Sequence, residues 1–134
     1  MKEILDDITR WRNAGKKIAV ARVIDVEGSG PRDAGAAMAV TQDGEVAGSV
    51  SGGCVEGAVV TEALEVISSG IRGRRVTFGY SDDEAFAVGL TCGGTVHLFI
   101  QPLDETAFAA LATPLQNNNP VVIATVCGGS GIGS

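Results

Sequence analysis

The sequence predicts an α/β fold, a single domain in which a mixed β-sheet is flanked by helices. Three observations carry this. Two segments place apolar residues at helical spacing, at residues 2–13 and 54–68. Between and after them lie short runs rich in Val, Ile and Ala that have strand length. Glycine-rich turns separate these runs at uneven intervals, which excludes a collagen-like or repeat architecture.

The elements follow in order. Ile4, Leu5, Ile8 and Trp11 form one face of a first helix over residues 2–13, with Glu3, Asp6, Asp7 and Arg10 between them and Gly15 beyond its end. Residues 17–26 (KIAVARVIDV) read as a largely buried strand. Strict alternation puts Ile18, Val20, Ile24 and Val26 on one face, interrupted by Arg22, and Ala19, Ala21, Val23 and Asp25 on the other. The strand runs into EGSGPRDAG, where Pro31 fixes its own φ and biases Gly30 towards extended geometry. Residues 36–41 and 45–49 flank Gln42-Asp43-Gly44, a hairpin signal. The second helix spans about residues 54–68, with Val55, Val59, Ala63, Val66 and Ile67 on its apolar face and Gly70 as its C-terminal stop. RRVTFG at residues 74–79 is a further strand. Residues 80–94 are irregular. Residues 95–101 alternate, with Val96, Leu98 and Ile100 opposite Thr95, His97 and Phe99. A short helix is expected over residues 104–112, with Asp104 at its N-cap, and a final strand over residues 121–126.

Composition limits the functions open to the chain. Its 134 residues carry a net charge of −6, with 45% hydrophobic and only 4% aromatic residues. That is enough for an aliphatic core in one domain. The charge argues against nonspecific binding to nucleic acid or to anionic membranes. No stretch approaches the roughly 18–20 apolar residues of a bilayer span, and the N-terminus carries no signal-like run. A cytoplasmic protein is the expectation. Three cysteines at wide spacing make no disulfide framework.

The chemistry-bearing residues fall in three glycine loops: GSGPR at residues 28–32, SGGC at 51–54 and CGG at 92–94. Each lies at the end of an expected strand, where ligands of α/β folds bind. They combine backbone N–H groups, the thiols of Cys54 and Cys92, the Arg32 guanidinium as an oxyanion clamp, and the hydroxyls of Ser29, Ser49 and Ser51. A helix N-terminus would favour an anion and a thiolate at Cys54. The same residues also fit three tight turns and two buried thiols. Glu56, in the first helical turn, complements the helix dipole, and a base or ligand-holding role is the alternative. Cys54, Cys92, His97 and Cys127 number enough for zinc but lack the short-spaced pairs of structural zinc sites, so zinc is not expected. The terminal GGSGIGS lacks the G-x-G-x-x-G spacing and a following helix, which argues against a dinucleotide site.

Taken together, GSGPR at 28–32, GAAM at 35–38, GSVSGGCVE at 48–56 and GLTCGGTVHLFI at 89–100 resemble the N-terminal domain of the XdhC/CoxI family. These are accessory proteins of molybdenum hydroxylases such as xanthine dehydrogenase and aerobic carbon monoxide dehydrogenase. The resemblance implies a maturation factor that binds the molybdenum cofactor (molybdopterin) as cargo, protects it during exchange of an oxo ligand for sulfur, and delivers it. The implied partners are an apo-molybdenum hydroxylase and a cysteine desulfurase. Cys54 and Cys92 would contact molybdenum or carry sulfur. Arg32 and the N–H groups around Gly52 and Gly53 would take the pterin phosphate, with Ser29, Ser51, Gly93 and Gly94 as further cofactor-binding residues. Residues 1–119 correspond to the family domain. Residues 120–134 resemble the start of a bridge into a second, Rossmann-like domain that longer relatives carry, so a short, split or partial member is expected, along with self-association. The competing readings are a thiol-dependent transferase using Cys54 and a ligand-free assembly subunit.

Overall fold

The computed structural model describes residues 4–27, 35–50, 55–79, 95–103, 108–110 and 117. Helix α1 (Leu5–Asn13) precedes strands β1 (Ile18–Glu27), β2 (Ala37–Thr41) and β3 (Val46–Gly48). Helix α2 (Glu56–Ser69) then leads to β4 (Arg74–Gly79) and β5 (Thr95–Pro102). The strands form a five-stranded sheet in the order β3-β2-β1-β5-β4. The expected sheet and flanking helices are present, and all four strand pairings among the described residues are antiparallel. β3 and β4, the strands joined through α2, run in the same direction but lie at opposite edges, so they never become parallel neighbours.

Each face of the sheet is covered by one helix. On one side Ala19, Ala21, Val23, Met38, Val40, Val96, Leu98 and Ile100 pack against Val55, Val59, Ala63 and Val66 of the α2 region. On the other, Ile18, Val20, Ala37, Ala39 and Ala47 pack against Ile4, Leu5, Ile8 and Trp11, joined by Phe108 from a short helical segment at residues 108–110. Small residues on β1 and β2 let both helices approach closely, which is why β2 is buried along its whole length. Arg74 ties α2 to the edge strand through Glu62 at 2.7 Å and Glu65 at 3.1 Å.

The turns behave as their residues dictate. Gly70 ends α2 in the left-handed conformation, with φ +70°. In the β2–β3 hairpin the buried Thr41 hydroxyl accepts the N–H groups of Asp43 and Glu45 at 3.3 and 3.1 Å. Beyond the turn, Lys16 bridges to both Asp43 and Glu45, and its hydrogen bond to Glu45 leads the causes that raise the lysine pKa. The same bond holds the Glu45 carboxyl below its ordinary value.

One expectation about β1 is overturned. The register against β5 slips between Val23 and Asp25, a β-bulge that absorbs one extra residue. Beyond it the faces swap. Val26 packs with Ala19, Ala21 and Val23 in the α2-side core, while Asp25 pairs with His97 and Glu27 with Thr95 on the other face. Strict alternation cannot see this, because a bulge resets a two-residue period. Phe99, on the same face of β5 as the partly exposed His97, is nonetheless 2% exposed, its ring lying where a Cβ on Gly73 would need to be.

Candidate functional site

The described residues that bound the predicted site segments lie at one end of the sheet. Glu27, the last residue of β1, pairs with Thr95, the first of β5. Thr95 pairs in turn with Gly79, the last of β4. Gly48, the last of β3, pairs with Met38 near the start of β2, and the Gly35 N–H donates to the Val23 carbonyl at 2.8 Å. Residues 28–34, 51–54 and 80–94 are therefore each bounded by residues at this same end. Ser29, Arg32, Ser51, Gly52, Gly53, Cys54, Cys92, Gly93 and Gly94 lie outside the described residues, as do Cys127, Asp104 and the expected strand at 121–126.

Two features of the described chain hold the approach to Cys54 in place. Gly48 has φ +80°, and a Cβ there would collide with the Ala37 carbonyl oxygen and come within 2.6 Å of Ile4 Cγ2. Only glycine satisfies both the backbone angle and the close approach. Next, Glu56 in the first turn of α2 reaches back across residues 51–54. Its Oε1 accepts the Ser49 hydroxyl at 2.8 Å and the Val50 N–H at 3.2 Å. A carboxylate accepting two donors is a strong, charge-assisted anchor. Glu56 thus fastens the strand-side entrance of the SGGC segment to the helix that follows it. This goes beyond the dipole complement expected from sequence. No pattern in the sequence signals a bond between side chains seven residues apart at this place.

Sequence reasoning missed a second group. Asp25, Glu27 and His97 place one ligand atom each within 4.8 Å of one another, because the β1 bulge puts both carboxylates on the His97 face. His97 Nε2 lies 3.1 Å from Glu27 Oε2 and Nδ1 lies 2.9 Å from Thr77 Oγ1. The available signal was the D-x-E pattern of Asp25 and Glu27, which needs the pairing with His97 to acquire meaning.

A cavity of about 320 Å³ lies at the opposite end of the sheet, among Arg12, Lys16, Lys17, Ile67, Pro102 and Leu103. The described residues that bound the glycine segments are not among its lining. Lys16 is committed to the hairpin acids, and the Arg12 guanidinium stacks 4.6 Å over Phe108. Among the described residues no helix is long and apolar enough to cross a membrane.

These features define a class: an antiparallel α/β domain with its glycine and cysteine segments bounded at one sheet end. Residues 11–79 match the model of the XdhC and CoxI family, and the chain belongs to that family. It is 36% identical over 109 residues to the molybdenum cofactor insertion chaperone PaoD of Escherichia coli, covering 81% of this chain and 34% of that protein. It is 27% identical over 92 residues to a Bacillus subtilis protein described as a probable xanthine dehydrogenase component, covering 67% of this chain and 28% of that protein. A crystal structure described as a xanthine dehydrogenase from Bacillus halodurans superposes with a TM-score of 0.66 at 28% identity, over 84% of this chain and 34% of that one. The chain thus spans about a third of the length of PaoD and of the Bacillus halodurans protein.

Proposed function

We propose that this domain binds the molybdenum cofactor as cargo and takes part in its insertion into a molybdenum hydroxylase of the xanthine dehydrogenase or carbon monoxide dehydrogenase type. The observation that carries this reading is the 36% identity to a molybdenum cofactor insertion chaperone across 81% of the chain. The geometry supports it, since all three glycine segments start and finish at one end of the sheet, and Glu56 anchors the one that carries Cys54. In this proposal Arg32, Ser29, Ser51 and the N–H groups of Gly52, Gly53, Gly93 and Gly94 hold the pterin phosphate. Backbone donors near a helix start and a guanidinium suit an anion. Cys54 and Cys92 face the metal end of the cargo, a cysteine desulfurase supplies sulfur, and the cradle is completed by a second copy of the chain or by another protein.

The test is direct. The purified chain is incubated with isolated cofactor, and the retained pterin is oxidised and measured by fluorescence. Retention near one equivalent per chain, falling at least tenfold in Cys54→Ala/Cys92→Ala, supports the proposal. Retention by wild type equal to that of an unrelated acidic protein overturns it. Equal retention by wild type and double mutant removes the cysteines from the site.

A further inference from the structure

We infer that Asp25, Glu27 and His97 form a nitrogen- and oxygen-ligated binding site for a first-row divalent metal ion, built on the sheet face beside the predicted cofactor end.

The inference stands on described residues alone and does not depend on the proposed function. The three donors come from adjacent strands in direct register. Asp25 and His97 are opposite one another, and Glu27 is one pleat further along β1. The bulge between Val23 and Asp25 creates this. Without the extra residue, Ile24 would oppose His97 and both carboxylates would face the α2-side core. Bulges recur where a strand must re-aim a side chain at a site.

The spacing fits an ion. Ligands bound at first-row metal distances stand about 3.0–3.4 Å apart in octahedral or tetrahedral arrangements. His97 Nε2 and Glu27 Oε2 are 3.1 Å apart, and the Asp25 carboxylate completes a set within 4.8 Å. Asp25 and Glu27 are exposed, so small rotations close the remaining gap. The Val26 N–H binds Asp25 Oδ1 at 2.9 Å, which orients that carboxylate.

The other ring nitrogen of His97 is held as well. Thr77, from β4 on the far side of His97, lies 2.9 Å from Nδ1. When its oxygen accepts the Nδ1 proton, the Nε2 lone pair is turned to the Glu27 side and is available to a cation; in the other tautomer the Nε2–H donates to Glu27. Metal-bound histidines characteristically have their second nitrogen fixed in this way. One imidazole with two carboxylates favours ions of the zinc, cobalt or manganese type over magnesium or calcium, which take all-oxygen sets. Three protein ligands leave positions open to water or to an anion.

Co²⁺ is the probe for the test, because its spectrum separates nitrogen and oxygen ligation from thiolate ligation. The untagged, chelator-stripped chain is titrated with Co²⁺ by absorption and by proton NMR. His97 is the chain's single histidine, so its ring resonances report the site in wild type without any mutation. The expected result is one saturable equivalent, weak visible bands without thiolate charge transfer, and paramagnetically shifted His97 ring signals. Asp25→Asn and His97→Gln each weaken binding at least tenfold, and Thr77→Val weakens it about tenfold, with circular dichroism unchanged. Absence of saturable binding, unshifted His97 signals, a thiolate charge-transfer band, or equal affinity in His97→Gln overturns the proposal.

Discussion

Glu56 shows how one side chain fixes a segment otherwise made of small residues. Its carboxylate holds the Ser49 hydroxyl and the Val50 N–H, so Glu56→Ala leaves two partly buried donors to find water. A loss of about 1–3 kcal/mol is expected in denaturant unfolding. Glu56→Gln should recover part of it, because an amide oxygen still accepts. Loosening this tie should also change the alkylation rate of Cys54 by iodoacetamide, which is read separately from stability. An unchanged rate in a folded Glu56→Ala variant would mean that the carboxylate only braces the helix start. Gly48 offers a sharper expectation. Gly48→Ala combines a positive φ with a collision against the Ala37 carbonyl and Ile4, and should cost about 2–4 kcal/mol. Gly44 and Gly70 also have positive φ but open space around the missing Cβ, so alanine there meets only the backbone penalty, about 1–2 kcal/mol. A Gly48→Ala midpoint matching those of Gly44→Ala and Gly70→Ala would refute the close-approach argument.

At the level of elements, the β2–β3 hairpin is pinned to the start of β1 by charge. Lys16 meets Glu45 and Asp43 beyond the turn. Glu45 titrates below its ordinary 4.5, chiefly through its hydrogen bond to Lys16. Its contribution is therefore present above that value and fades as pH falls through the lower, folded-state value. Lys16 titrates above its ordinary 10.5, chiefly through Glu45, so its contribution is present below 10.5 and fades as pH rises past the folded-state value. The thermal midpoint of Glu45→Gln should sit below wild type at neutral pH, with the gap closing in acid. High salt should shrink the same gap, since the pair is solvent-exposed. A gap independent of pH would assign the effect to packing. The elements themselves were largely legible: α1, the Asp-Gly hairpin, α2 with its Gly70 stop, β4 and β5 follow from periodicity and turn residues. The bulge in β1 was not, because which residue is extra depends on what β5 presents opposite it.

The whole molecule is a sheet buried on both faces, with α2 against one and α1 against the other. β5 lies between β1 and β4, and Leu98 is fully buried at the centre of the α2-side core. Leu98→Ala should lose about 2–5 kcal/mol, measured by urea unfolding, whereas Val46→Thr on the edge strand, 43% exposed, should be near neutral. Similar losses at both positions would contradict this placement of the core. The strand directions also explain why the boundaries of the glycine segments lie at one end of the sheet. β1, β3 and β4 run in one direction and β2 and β5 in the other, so β1, β3 and β4 finish, and β2 and β5 begin, at the same end.

The amino-acid sequence by itself determined the α/β class, most element positions and, through four ordered motifs, membership of the XdhC and CoxI family. Those properties reside in local periodicity, turn chemistry and short spacings, all of which are written along one chain. Only the tertiary structure decided that the three segment boundaries meet at one sheet end, that Glu56 clamps Ser49 and Val50, and that Asp25 and Glu27 face His97. Each of these joins residues through strand register or between side chains several positions apart. Register is set by which apolar faces the two helices bury, a property of the assembled sheet that no single segment contains.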